Sequence, residues 1–340
     1  MGEEWWGIEM SKGVKGPALL GDIGATNARF ALLDATGLIG SVQVTVCAQH
    51  PGLAEAAEVY LKEIGAHGEV RAAAIDVAGP VSGDRVALTN HPWGFSQREL
   101  RARLGLDHLL IVNDFAAAAS AAPHLGMSEL GWIGSGPAPT LYAPAAPIGV
   151  IGAGSGLGVG SILPVGEGRW IAMAGEGGHV SLAPGTEREG RVWNAMRERF
   201  GHVSAERALS GPGLVNLYSF LSEIDGKKAK PLKPAEVSEA ALAGTDPYCR
   251  EALDMFAELL GSVAGDLALT LGARGGVYIA GGIVPRFGAQ FPRARFRTRF
   301  EGKGRLSSFL VKIPTFVMLH PYPAFVGLAA LLRGTSAIAD

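Results

Sequence analysis

Two short stretches constrain this chain more than anything else in it. Residues 19–33 and 148–163 each run from an apolar strand through a glycine-rich turn into a second apolar strand. The first places Gly21-Asp22-Ile23-Gly24-Ala25-Thr26-Asn27 between Leu19-Leu20 and Phe30-Ala31-Leu32. The second runs Ile148-Gly149-Val150-Ile151, then Gly152 to Gly160, then Ser161-Ile162-Leu163. No strict repeat links them, yet they are one device used once in each half of an α/β chain. A ligand held between two such turns sits in a cleft between two lobes. Glycine is accordingly the compositional outlier, with 49 of 340 residues and no three-residue collagen period. Many backbone positions must need positive φ or close approach to a neighbour.

The length fits about two domains, and 48% hydrophobic residues suffice for a sizeable core. A net charge of −2 argues against a general nucleic-acid or anionic-membrane binder. Cys47 and Cys249 match no metal, redox or disulfide spacing, which fits a reducing cytoplasm. No run of about 18 apolar residues occurs, and the longest candidate, 255–284, is broken by Glu258, Asp266 and Arg274. Residues 1–16 lack the apolar core of a signal peptide and read as an extension ahead of the folded chain.

Between the two turns, residues 53–64 have helical spacing and Arg71 to Val77 reads as a short buried strand. Ser96, with Glu99 three residues on, caps a helix to about Leu104. The strand 109–112 runs directly into Asn113-Asp114-Phe115 and an alanine-rich helix. Residues 134–147 read as a Gly/Pro/Ala-rich loop. The second half is mostly helical, with the clearest helix over about 250–272, followed by the strand 277–280 and Gly281-Gly282.

The glycine turns fit neither a P-loop nor the G-x-G-x-x-G register, and no G-x-S-x-G elbow is present. Gly152-Ala153-Gly154-Ser155-Gly156 offers amide N–H groups and one hydroxyl, a nest suited to a polyphosphate. Read alone, it is equally a tight hairpin beside a crowded core. Asp22, near Thr26, Asn27 and Arg29, can orient the water shell of Mg²⁺ at a phosphate; an Asx turn is its simpler explanation. Asn113-Asp114 ends a buried strand, where α/β proteins place site residues and where a carboxylate can take a proton from a hydroxyl. A helix N-cap explains the same pair, and both can hold. Glu176 and His179 flank two glycines and can face one ligand, while a satisfied buried histidine is the alternative. Ser204 reads as the cap of a helix with Glu206 in its first turn. Neutral and anionic groups such as Asn113, Asp114, Glu176, His179 and Glu206 suit a polyol. Together with phosphate turns they point to phosphoryl transfer onto a sugar.

With these residues assembled, the sequence resembles the bacterial glucokinase family of the hexokinase/actin/Hsp70-like superfamily, from about Leu19 to the C-terminus. Leu20 to Arg29 and Gly152 to Gly158 resemble its two phosphate motifs. Thr89-Asn90-His91-Pro92-Trp93 and Asn113 to Ala117 resemble its sugar-side motifs. Glu176 to Val180, Arg207 to Leu214 and Gly281 to Arg286 complete the series. The resemblance implies an α/β, two-lobed ribonuclease-H-like (actin-like ATPase) fold with an interlobe active-site cleft. Its small domain is 17–124 plus 322–340 and its large domain 125–321. It implies a cytoplasmic enzyme, a homodimer, that phosphorylates D-glucose with ATP and Mg²⁺. Asp114 is then the general base, and Asn113, Glu176, His179 and Glu206 bind the other sugar hydroxyls. Gly21, Asp22, Ile23, Gly24, Ala25, Thr26 and Asn27 approach the phosphates, with Asp22 meeting Mg²⁺ through water. Gly152, Gly154, Ser155 and Gly156 hold the other side of the phosphates, and Gly281 and Gly282 lie near the adenosine.

Ala25 stands where the family often has glycine, Ser155 where it has threonine, and the tail 320–327 departs from its usual pattern. Three rival readings differ in what they require. A kinase for another hexose separates on a panel of sugars. A sugar-sensing regulator needs a DNA-binding module ahead of Gly21, where 20 residues are too few. An actin- or Hsp70-like ATPase has no use for Glu176, His179 and Glu206 together.

Overall fold

The computed structural model describes residues 16–88, 91–134 and 146–338. Thr89 and Asn90, most of the expected 134–147 loop and all but the last residue of the 1–16 extension lie outside the described residues. The chain divides into two compact units, one of Met1–Leu125, Ile162–Ala174 and His320–Asp340, the other of Gly126–Ser161 and Gly175–Leu319.

The first unit opens with three strands, β1 (Ala18–Ile23), β2 (Asn27–Leu33) and β3 (Ile39–Val46), followed by helix α1 (Leu53–Glu63) and strand β4 (Ala72–Val77). A two-stranded ribbon, β5 (Arg85–Ala87) and β6 (Gly94–Ser96), precedes α2 (Gln97–Arg103), β7 (His108–Asn113) and α3 (Asp114–Ala121). The main sheet has the order β3-β2-β1-β4-β7. Its β1–β2 and β2–β3 pairs are antiparallel, its β1–β4 and β4–β7 pairs parallel. Parallel strands are covered on both faces, and every residue of β4 is buried. Alternation along the strands then sets two cores. Leu19, Ile23, Phe30 and Ile75 pack under α1, which lays down Leu53, Ala56, Ala57, Tyr60 and Leu61 as one stripe. Leu20, Ala74 and Val112 face the other way. Ser96 caps α2 as its position predicts, its hydroxyl accepting from the Glu99 N–H at 3.1 Å.

The second unit contains β8 (Leu130–Trp132), β9 (Ile148–Ala153) and the start of β10 (Leu157–Gly166), whose end and the following β11 (Arg169–Gly175) fall largely in the first unit. Helices α4 (Glu187–Phe200), α5 (Gly211–Ile224), α6 (Pro234–Ala243) and the long α7 (Pro247–Leu271) follow. After β12 (Gly276–Ala280) come α8 (Ile283–Phe287), α9 (Arg293–Glu301), α10 (Ser307–Leu310) and β13 (Thr315–Met318). Here β10, β9, β12, β13 and β8 are neighbours in that order, with β9–β12 and β12–β13 parallel. The core gathers Leu253, Phe256, Leu260, Phe296 and Phe300, all buried, and each such side chain contributes roughly 1.5–3 kcal/mol. The chain ends in the first unit with α11 (Pro323–Leu332) and β14 (Ser336–Ile338). Phe325, Leu328 and Leu331 of α11 close the second core of that unit together with Ala117 of α3, and β14 pairs in parallel with β11. No helix among the described residues is long and apolar enough to cross a membrane.

Candidate active site

In the first unit, three carboxyls meet at one end of the sheet. Asp22 sits on β1 directly opposite Asp76 of β4, and the next rung pairs Val77 with Asn113 of β7. Asp114 follows as the first residue of α3. The β1–β2 turn is drawn tight by the Gly24 N–H donating to the Asn27 carbonyl at 3.0 Å. Cys47 braces it from behind: its N–H donates to the Thr26 carbonyl at 2.9 Å and its thiol to the Gly24 carbonyl at 3.4 Å. Asp22 is therefore a strand residue, not part of an Asx turn, and its carboxylate accepts from Arg29 at 2.8 Å. Burial raises the Asp22 carboxyl above its ordinary pKa, against the pull of the Arg29 guanidinium.

Asn113 is the N-cap of α3, and its side-chain oxygen accepts from the N–H groups of Phe115 and Ala116 at 2.8 and 3.3 Å. Its amide nitrogen donates to the Gly79 carbonyl at 3.1 Å. The cap thus anchors the loop after β4 to the start of α3, and leaves Asp114 on the first helical turn. There the positive end of the helix favours a carboxylate. Of the other sugar-side motif, Trp93 is buried and its indole N–H donates to the His50 carbonyl at 3.3 Å.

In the second unit, the β9–β10 turn is Gly154-Ser155-Gly156, with the Gly154 N–H donating to the Gly156 carbonyl at 2.8 Å. Three other segments converge on it. Glu206 accepts from the Leu157 N–H at 2.8 Å, and a Cβ on Gly156 would stand 2.4 Å from that carboxylate. The Gly211 N–H, at the start of α5, donates to the Gly154 carbonyl at 2.8 Å. Gly281, at φ +79°, lies so close to the end of β9 that a Cβ would be 2.5 Å from the Ala153 carbonyl oxygen. Gly282 is the N-cap of α8. The Glu176–His179 loop joins the same cluster through the Leu182–Val203 and Ala205–Val180 backbone hydrogen bonds, both 2.9 Å.

Two sequence expectations change. His179 is not a satisfied core histidine: its side chain is 62% exposed, with Nε2 4.0 Å from a Glu176 oxygen. The two glycines between them are required by packing, since a Cβ on Gly178 would fall 1.9 Å from the Leu157 carbonyl oxygen. Ser204 caps no α-helix, because only the 3₁₀ turn Ala205–Arg207 follows and the Ser204 side chain makes no cap hydrogen bond.

Sequence reasoning missed Asp76. It is fully buried, and neither carboxylate oxygen has a hydrogen-bond partner. Burial first, then the charges of Asp22 and Asp114, push its carboxyl well above the usual carboxylate range. The available signal was a lone acid inside an apolar strand that could have been read as an interruption. Among the described residues no three His, Cys, Asp or Glu side chains stand close enough to hold a metal ion. A cation at Asp22 would be held through its water shell, as suits Mg²⁺. The enclosed, unpartnered oxygens of Asp76 on the neighbouring strand are the feature of this locus that fits a nearby hydrated cation.

A hairpin leading into parallel strands, built twice, each time with its glycine turn at the functional end, defines the ribonuclease-H-like, actin-like ATPase fold. The glucokinase family model matches residues 19–335, and the chain belongs to that family. It is 51% identical over 316 residues to the glucokinase of Chromobacterium violaceum, covering 93% of this chain and 89% of that one. The glucokinase of Aromatoleum aromaticum is 48% identical over 318 residues, covering 93% and 94%. The crystal structure of a glucokinase from an Antarctic psychrotroph superposes with a TM-score of 0.82 at 35% identity, covering 94% of this chain and 99% of that one.

Proposed function

We propose that this chain is a glucokinase that catalyses ATP + D-glucose → ADP + glucose 6-phosphate. Family membership supports the reaction. The observation that carries the mechanism is the position of Asp114, just past the end of edge strand β7, which is only partly buried, and on the first turn of a helix. There it takes the proton of the sugar 6-hydroxyl as the oxygen attacks the γ-phosphorus. Asn113, Glu176, His179 and Glu206 bind the remaining hydroxyls and fix the sugar. Gly21 to Asn27 and Gly152 to Gly156 receive the phosphates, and Gly281 and Gly282 flank the adenosine. Mg²⁺, when bound, neutralises phosphate charge, and Asp22 holds it through water. The enzyme works in the cytoplasm as a homodimer.

Replacing the base tests this directly. Asp114→Ala retains D-glucose binding within about tenfold, while turnover falls about 10²- to 10⁴-fold, the usual weight of a general base. Near-normal kcat in that variant refutes the assignment.

A further inference from the structure

Two stretches of the second unit each carry four cations within seven residues. On α9, Arg295, Arg297 and Arg299 are engaged by Glu258, Glu301 and Glu189, and Arg293 donates to backbone carbonyls. The other is Lys227-Lys228-Ala229-Lys230-Pro231-Leu232-Lys233, between α5 and α6, with no acid among its residues. All four lysines are exposed. Among the described residues, no ion pair or side-chain hydrogen bond engages any of their ammonium groups. The acids that flank the stretch are already used. Glu223 accepts from Arg199, Asp225 from Arg188, and Glu236 from the backbone N–H of Lys233. In a chain of net charge −2, this is a positive surface left uncompensated.

The path of the stretch matters as much as its charge. The Lys227 N–H donates to the Ser222 carbonyl at 2.9 Å, near the end of α5. The Lys230 N–H donates to the Tyr218 hydroxyl at 3.1 Å, one turn earlier on the same helix. Pro234 then lies against Gly211, the first residue of α5, where a Cβ would stand 3.6 Å from it. Gly211 in turn donates to the Gly154 carbonyl of the β9–β10 turn at 2.8 Å. The lysine stretch therefore runs back along α5 to the glycine turn. Ala229 and Leu232 pack onto the core of the unit, which pins the backbone while the lysines stay outside. On the rise of a helix, Tyr218 is about 10 Å and Ser222 about 16 Å from Gly211. Charge acts over such distances when salt is low, with a Debye length of about 10 Å at 0.1 M and about 30 Å at 0.01 M.

We infer that Lys227, Lys228, Lys230 and Lys233 form an electrostatic collector for the nucleotide, drawing its anionic phosphates to the Gly154-Ser155-Gly156 turn. The ligand class it selects is a polyphosphate anion. The lysines act through space on the approaching anion and need no contact with the bound one. A field of one sign beside a binding site raises association rates, and added salt removes the gain. This rests on the kinase reading for the nucleotide but not for the sugar.

The test compares the full chain with a variant carrying Lys227→Gln, Lys228→Gln and Lys230→Gln together. These are exposed surface positions, so the fold holds. The kcat/KM for Mg-ATP at saturating D-glucose is followed from about 0.02 M to about 0.5 M salt. The expected result is a loss of about fivefold or more at the low end. At the high end the two proteins converge to within about twofold. The kcat and the KM for D-glucose stay unchanged. Arginine at the same three positions keeps the parent's values, because the charge is what acts. A glutamine variant equal to the parent at low salt overturns the proposal. So does a loss of the same size at every salt concentration, which marks a local contact instead. ADP affinity, measured by calorimetry over the same range, is expected to fall and recover in the same pattern. A parent that binds ADP but releases none from ATP in response to D-glucose refutes the kinase reading, while the ADP affinities still decide the role of the lysines. A parent that binds no ADP overturns both.

Discussion

The two glycine turns of this protein are both closed by backbone hydrogen bonds and differ in the charge around them. In the first unit the turn between β1 and β2, drawn together by Gly24 and braced by Cys47, stands beside Asp22 paired with Arg29, with Asp76 buried on the next strand and Asp114 nearby. In the second unit the turn between β9 and β10 has Gly211 and Gly281 closing on it, and Glu206 is the charged group bonded to it among the described residues. On the proposed reading, the difference suits the two turns to different tasks. Carboxylates gather a hydrated cation and accept a proton, whereas a ring of amides and small residues receives anionic oxygens. The first turn must therefore be sensitive to loss of charge, the second to addition of bulk.

The largest of the effects that could break this contrast lies at Asp22. Asp22→Asn is expected to lower kcat/KM for ATP about 10- to 100-fold, with D-glucose affinity retained; a variant within twofold of the parent removes charge as the organising feature of the first turn. Next is Gly281→Ala, which needs a residue other than glycine at φ +79° and a Cβ 2.5 Å from a backbone oxygen. Strain of about 1–3 kcal/mol is expected, read as a fall in Tm and a rise of about tenfold in the KM for ATP. An unchanged KM would show that backbone closeness at this turn serves packing alone.

A control that should leave both turns untouched is Glu189→Ala. Glu189 is 2% exposed and accepts from Arg299 at 2.8 and 3.1 Å. Its loss leaves the partly buried Arg299 guanidinium without this partner, so stability drops by about 1–3 kcal/mol while the KM values of the folded enzyme hold. The smallest effect sharpens the role of burial in the first unit. The Asp76 carboxyl has a raised pKa in the folded chain and an ordinary one near 4 in the unfolded chain. The native state thus holds a proton that the unfolded state releases, and stability falls as pH rises above about 4. Asp76→Asn removes that loss: its Tm matches the parent at pH 4 and exceeds it increasingly towards pH 8. A Tm difference that does not change with pH would contradict the shift.

Much of this contrast is visible in the chain before folding. Both hairpins are readable because apolar alternation flanks dense glycine, and α7 because Leu253, Phe256, Leu260, Val263 and Leu267 recur at helical spacing. Local chemistry also marks the Ser96 cap and the end of β7. What is not readable depends on partners distant in sequence. Strand β3 is easily passed over, since its valines alternate but Val44 and Val46 stay exposed at the sheet edge. The exposure of His179, the packing need for Gly178 and the hydrogen bond from Leu157 to Glu206 all arise from β10 meeting loops 20 to 50 residues downstream. Asp76 looks like an interruption of an apolar strand until register sets it opposite Asp22.

The most direct measurement is ADP release from Mg-ATP by the purified protein, with and without D-glucose, alongside mannose, fructose and N-acetylglucosamine at matched concentration. The account predicts strong release that depends on D-glucose and is weaker with the other sugars. Release that ignores sugar, or no release with any of them, would contradict it.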